Sequence, residues 1–401
     1  MSAASLSGLF SPLRKLLFGS LLYDLCKGIA SPLMVLLLTT QYGLNSWQSG
    51  ALLGSAILIA TFLSLPAGLL FDRYNRLHLV MGALLVMGVS VGLLHFAQVV
   101  MLVGALLVFM EFAAAFFSIG LKTLLADYLE AHRRVSAFSY RYVLTNVAFA
   151  IGPLLSIQLA EHSLALALLV AAGTSLAAIF VFSFLARYQP ARSQSPEYPS
   201  FSQVFKVLGK DRNLVLYTVG SFFNTIVHGR FTLFLSLLLL HKYPAAQGME
   251  ILSVLLLTNA LVVILLQKIA SRYIHTASLN KAVFSGALLF AIGLIGFSVA
   301  DHLFVWCLSM VIFTLGEIFI QPSEYLYIDS ISPLELKGSY FAAHNLANLG
   351  AAISPVWCGV MLSNFGASGL CYSLAACILS GGVLCALRPR LDLYSPVSSS
   401  V

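Results

Sequence analysis

The sequence is short of charge. Of 401 residues only 37 are ionised at neutral pH, 22 Lys or Arg against 15 Asp or Glu, where soluble domains carry about a quarter. With 59% hydrophobic residues and a mean hydropathy of +0.93, that scarcity excludes a soluble globular protein. It also excludes a disordered chain, which needs low hydrophobicity. Cysteines are too few for a disulfide scaffold: the six (Cys26, Cys307, Cys358, Cys371, Cys377 and Cys385) fall in apolar stretches and read as small buried hydrophobes. No G-x-x-x-x-G-K-[ST] loop is present, which argues against a nucleotide-driven pump. No H-E-x-x-H and no close Cys/His cluster points to a metal. The alternating strands of roughly ten residues that build an outer-membrane barrel are also missing.

What the chain has instead is long apolar runs. A membrane-spanning helix needs about 20 mostly apolar residues. Twelve segments qualify: 15–40, 46–71, 77–98, 99–124, 137–160, 163–187, 213–241, 247–270, 278–300, 302–325, 338–362 and 367–387. The first is too long for a signal peptide and has no small-residue cleavage site, so it is expected to remain as the first span. Loop charge sets the orientation. The loops and interface on one side hold 18 Lys or Arg, those on the other only Lys242, which places both termini in the cytoplasm. The expected location is a bacterial inner membrane. The net charge of +7 then reflects topology and no nucleic-acid partner.

The longest polar stretch, 188–212, carries Pro190, Pro196, Pro199 and six charges. It divides the chain into an N-terminal six-helix half, 1–187, and a C-terminal one, 213–387, followed by a cytoplasmic tail, 388–401. Phe201–Leu208 within the linker has the pattern of a short amphipathic surface helix. The halves repeat weakly. At a shift of 202, Asp127 falls on Asp329, Lys122 on Glu324, Phe138 on Tyr340, Asn146 on Asn348 and Pro153 on Pro355. Six-plus-six arrangements of this kind place a binding site between the halves. The expected fold is an all-α membrane protein, twelve transmembrane helices in two pseudo-symmetric halves.

The turn after the second segment reads Gly68-Leu69-Leu70-Phe71-Asp72-Arg73-Tyr74-Asn75-Arg76. It resembles the G-x-L-a-D-R-x-G-R loop of the major facilitator superfamily, with Asn75 where that family has Gly. Asn tolerates a positive φ, so the turn is expected to survive. The second-half copy, Gln267 to Tyr273, has lost its acid. Asp72 is placed to meet the N-terminus of a facing helix, whose dipole favours negative charge, and Arg76 to pair with Asp127. The resemblance implies that these contacts, with Gly68 and Arg73, form a cytoplasmic gate. Gly152-Pro153 in the fifth span partly resembles the G-x-x-x-G-P-x-x-G-G motif of the drug/proton antiporter branch. The simpler reading is a proline kink eased by small residues.

Ionisable groups at membrane depth cost about 2.5–3.5 kcal/mol each on insertion scales, so each calls for a role. Asp24 and Lys27 in the first span share a face at i, i+3, and an intrahelical ion pair is the plain expectation. Glu111, Ala115, Ser118 and Lys122 form one stripe of the fourth span, and Thr314, Glu317, Gln321 and Glu324 one of the tenth. The resemblance implies that spans 1, 4, 7 and 10 line the central cavity. Glu111 and Glu317 are therefore candidate proton or substrate sites, the alternative being structural pairs with Arg230 or Lys27. His228 and Arg230 are about 200° apart on the seventh span, so His228 is assigned to the cavity and Arg230 to a counter-charge. His344 shares a face with Asn348. Arg141, one turn inside its span, is expected to snorkel to the surface.

These residues point to a secondary transporter and to no enzyme, working by alternating access. It would need no cofactor, only a proton gradient as driving force, and would act as a monomer on a small molecule. Export of an amphipathic compound or drug, as in a multidrug antiporter, is the expected direction. The same-fold alternative is a proton symporter or facilitator for a nutrient, metabolite or organic anion.

Overall fold

The computed structural model describes residues 3–44, 46–188, 201–229, 231–275 and 278–387; Arg230, residues 189–200 of the linker and the 388–401 tail lie outside them. Where no water is available to bond the backbone, a chain must satisfy its own N–H and C=O groups, and the helix does so within one segment. The described residues accordingly form fifteen α-helices: α1 (Ala3–Thr40), α2 (Ser46–Leu63), α3 (Ala67–Arg73), α4 (Arg76–Leu93), α5 (Val100–Tyr128), α6 (Ala131–His162), α7 (Leu164–Ser183), α8 (Phe201–Lys210), α9 (Arg212–His228), α10 (Phe231–Lys242), α11 (Ala245–Ala270), α12 (Leu279–Val299), α13 (Leu303–Ile331), α14 (Lys337–His344) and α15 (Leu349–Ala386).

Nine helical stretches are long and apolar enough to cross a membrane, and two bent pairs, α2 with α3 (41°) and α9 with α10 (42°), pass the same test together. The last of the nine runs 53 residues, Leu334–Ala386, about 80 Å at 1.5 Å per residue, more than twice a hydrocarbon core. It breaks at Gly366, whose φ of 68° only glycine adopts freely. Counting each bent pair once and the broken stretch twice gives the twelve expected crossings. The Phe201–Leu208 expectation is met by α8.

The caps follow from residue chemistry. Asp211 caps α9, its Oδ1 accepting from Asn213 N (3.0 Å) and Leu214 N (3.1 Å). Asn75 caps α4 the same way, accepting from Leu77 N (3.0 Å) and His78 N (3.3 Å) with φ −65°. The turn therefore needs no positive φ here, contrary to expectation. Asn suits this position because its side chain bonds the freed N–H groups of α4.

Side chains such as Phe180, Leu154 and Leu265 stand exposed around the outside, as a lipid-facing belt requires, while the interior is close-packed. One close crossing joins α1 to α6. A Cβ on Gly152 would lie 2.5 Å from the Gly28 carbonyl carbon, so the Gly152-Pro153 motif serves here as a helix-packing contact.

Candidate functional site

Polar contacts between the halves concentrate from mid-depth to the end of the bundle that carries Arg73, Arg134 and Lys337, the basic end. Asp72, at the foot of α3, is 1% exposed. Its Oδ1 accepts from Gly338 N at 2.7 Å, and its Oδ2 from Ser339 N at 2.8 Å and Ser339 Oγ at 2.6 Å. A carboxylate of one half thus caps the first turn of α14 in the other, where the helix dipole favours negative charge. Backbones touch to allow it: a Cβ on Gly68 would meet Ser339 Cα at 2.6 Å, and one on Gly338 would meet Gly68 O at 2.5 Å. Arg76 holds the turn from behind, donating to Asp127 (2.5 Å) and to Phe71 O (2.9 Å). Arg73 points outward and is exposed.

The repeat-related acid Asp329 makes a second contact across the halves. It is 4% exposed and accepts from Arg134 of α6 at 2.6 Å and from Lys337. Arg134 also donates to Ala126 O (2.8 Å) and Leu129 O (3.1 Å), the frayed end of α5. Asn345 bonds Ser64 at 3.0 Å from α3's side of the interface. Tyr42 with Ala97 O, and Lys242 with Ser298 O and Ala300 O, bond near the opposite end within single halves. The bundle is closed at its basic end.

At mid-depth two acids are held very differently. Asp24 of α1, 2% exposed, takes both Arg141 guanidinium nitrogens, one to each oxygen, and Thr145 Oγ1 at 3.0 Å. This corrects two expectations: Asp24 pairs with Arg141 and not with Lys27, and Arg141 turns inward instead of snorkelling. The reason is energetic. A bidentate guanidinium–carboxylate pair on adjacent helices satisfies both charges, whereas an intrahelical i, i+3 pair leaves lone pairs unfilled. Lys27, one turn on, is half-buried with no carboxylate partner among the described residues.

Glu317 of α13, also 2% exposed, has no Lys or Arg partner among the described residues. Tyr142 of α6, in the other half, donates to its Oε1. Asn259 of α11 donates to its Oε2 at 2.7 Å and to Thr314 Oγ1 at 3.0 Å. His228 Nδ1 lies 3.3 Å from Oε1, off the line of a hydrogen bond. A buried carboxylate is thus surrounded by neutral donors and one titratable imidazole. The alternative pairing with Lys27 is not found among the described residues, and Arg230 lies outside them. Glu111 on α5 is half-buried and has no ion-pair partner among the described residues. His344 is buried while Asn348 is exposed, so they do not share a face. The cause is the 3-10 turn Asn345–Asn348, which interrupts the α-helical register.

Sequence reasoning missed Tyr142, Asn259, Arg134 and Asp329 as polar contacts. Only Asp329 carried a signal, its coincidence with Asp127 in the repeat.

The Major Facilitator Superfamily family model matches residues 16–355. The MFS-type transporter YdeE of Escherichia coli is 31% identical over 375 residues, 92% of this chain and 93% of the relative. A Na(+), Li(+), K(+)/H(+) antiporter of Planococcus maritimus is 22% identical over 339 residues, 76% of this chain and 80% of its own. Among solved structures, a bacterial homologue of the iron transporter ferroportin in an outward-facing state superposes with a TM-score of 0.76 at 13% identity, covering 93% of this chain and 98% of that one.

Proposed function

The chain belongs to the major facilitator superfamily, and from that premise we propose that it is a proton-coupled exporter of a small amphipathic compound in which Glu317 carries the proton. The carrying observation is the company Glu317 keeps. A group that must gain and lose a proton is poorly served by a permanent cation at its side, and among the described residues no Lys or Arg pairs with Glu317. Asp24 is clamped by Arg141, so it is assigned a structural role. The loop-charge bias supports a cytoplasmic basic end, and with that orientation, in a bacterial inner membrane, the arrangement closed at the basic end is outward-facing.

The cycle runs as a population shift. A proton entering from outside neutralises Glu317 and removes the charge that its bonds from Tyr142 and Asn259 stabilise. Tyr142 belongs to the other half, so this step changes the free energy of one arrangement of the halves relative to the other, as a coupled transition requires. The Asp72–α14 and Arg134–Asp329 contacts then part, the basic end opens, and the proton leaves to the more alkaline interior. Substrate binds the deprotonated form and returns outward. The antiporter relative exchanges cations against protons, and the partial Gly152-Pro153 match lends the export direction further support.

A second reading keeps the fold and reverses the direction: symport of an organic anion. Lys27 supports it, being half-buried with no carboxylate partner among the described residues. The two are separated by screening amphipathic cations, anions and zwitterions for thermal stabilisation of the purified protein at several pH values. A ligand at one hundred times its Kd adds about 2.7 kcal/mol of stability. Export predicts that binding tightens as pH rises, because ligand and proton compete. Binding that tightens as pH falls overturns export in favour of symport.

A further inference from the structure

Two turns along α13 from Glu317 lies a second buried carboxylate, Glu324, 5% exposed. Seven residues amount to nearly two helical turns, so the acids share a face about 10 Å apart along the axis. Gln321, 7% exposed, sits between them on the same stripe. Glu324 too is held by neutral groups. Asn224 Nδ2 on α9 donates to its Oε1 at 3.4 Å, and Ser221 Oγ lies beside it without completing a bond.

The base that approaches Glu324 comes from the other half. Lys122 on α5 holds its ammonium over the Tyr325 ring, 4.3 Å from the centroid, and 5.9 Å from that of Phe341. It makes no ion pair among the described residues, yet its charge acts on Glu324. Lys122 and Glu324 coincide in the internal repeat, and pseudo-symmetry brings the two positions face to face at the interface. Among the described residues, Tyr325 beside it is a further titratable group near Glu324, with the Asp24–Arg141 pair close to that ring, while His344 on α14 lies near Lys122 and against the Tyr217 ring.

The surroundings carry unused polar atoms. Ser221 Oγ, Asn224 Oδ1, Ser323 Oγ, His344 Nδ1 and Thr218 Oγ1 are buried and find no protein partner. Such atoms are destabilising if left dry, and native interiors meet them with ordered water. Thr218 also lines a largely apolar cavity of about 370 Å³ between α3, α8, α9 and α14, its Oγ1 being itself buried.

We propose that Glu324 is a second proton-binding carboxylate, the inner station to which Glu317 passes its proton along water oriented by Gln321. This rests on the reading of Glu317 as proton carrier. The step is a proton transfer alone: the Glu317 acid gives its proton to the first water of a short chain, each water passes one proton on, and the Glu324 carboxylate takes the proton released by the last. Lys122 supplies the control. While the basic end is closed, its ammonium compensates the Glu324 carboxylate. When the halves part there, Lys122 leaves with its own half and Glu324 is freed to accept.

The test needs no substrate. The full-length protein in liposomes is titrated by infrared difference spectroscopy in the carboxylic-acid C=O region. Two buried acids predict two separable components, one lost in Glu324→Gln, the other in Glu317→Gln, and both in the double variant. Glu324→Asp keeps a component at shifted frequency, which shows that the loss is not misfolding. If Glu324→Gln leaves the spectrum unchanged, Glu324 binds no proton and the proposal is overturned. If Glu317→Gln alone leaves it unchanged, the reading of Glu317 fails while Glu324 stands as a binding site without its donor.

Discussion

Asp24 and Glu317 show how two equally buried carboxylates can be held by quite different neighbours. Both are 2% exposed, one clamped by Arg141 and Thr145, the other by Tyr142 and Asn259. Removing one member of a buried ion pair strands the other charge, at a cost of roughly 3–5 kcal/mol, whereas replacing both by apolar residues is often neutral. Asp24→Leu and Arg141→Met are therefore each expected to lower the thermal midpoint of the purified protein markedly, and the double variant to recover most of the loss. A double variant as unstable as the singles would place Asp24 or Arg141 in some further contact. The sequence showed that Asp24 and Arg141 lie at membrane depth but not that they meet. Periodicity tells which residues share a face of one helix; it does not tell which helix that face meets, and these two are 117 positions apart. Tyr142 left even less trace, as one of 16 tyrosines with no charge to mark it.

Among the elements, the α3–α14 contact is the one most readable from sequence. The Asp72 turn, its cap on a facing helix and the Arg76–Asp127 pair were all expected from the motif and all are found. What the motif could not supply was the partner, because α14 begins after a 3-10 turn with no signature of its own. Nor did it foresee that Asn75 would act as a cap. This contact has no spare room: any side chain at Gly338 runs into Gly68 O, Asp72 and Phe71. Gly338→Leu is expected to leave helix content unchanged by circular dichroism and to prise the basic end apart. A cysteine introduced at Ser64 should then react with a water-soluble thiol reagent at least tenfold faster than in the Gly338 background. Equal reactivity would mean that the α3–α14 approach does not set closure. Asp72→Asn should act in the same direction more weakly, since the amide keeps an acceptor but loses the charge that favours a helix N-terminus, about 0.3–1 kcal/mol at exposed sites and up to about 2 when partly buried.

Across the whole molecule, the shortage of charge has sorted itself by place. The basic excess sits in the loops of one end; among the described interior charges Asp24 and Arg141 pair, Glu317, Glu324 and Lys122 lie on the faces between the halves, and Lys27 and Glu111 have no ion-pair partner. Those faces meet through Asp72, Arg134, Asn345, Lys122 and Tyr142, so closing one end is a collective event involving every one of these contacts. Cysteines placed at Ser64 and Asn345, whose side chains touch at 3.0 Å, should form a disulfide on oxidation, stop transport and release it on reduction. Turnover that continues with the bond formed would exclude opening at this end. The central claim is that Glu317 converts a pH gradient into movement of substrate. Its most direct measurement is transport by Glu317→Gln in proteoliposomes, with a ligand found by thermal stabilisation, compared with and without an imposed pH gradient. The account predicts that the variant exchanges ligand across the membrane at close to the wild-type rate but no longer accumulates it when the gradient is applied. Gradient-driven accumulation by the variant at the wild-type level would contradict it.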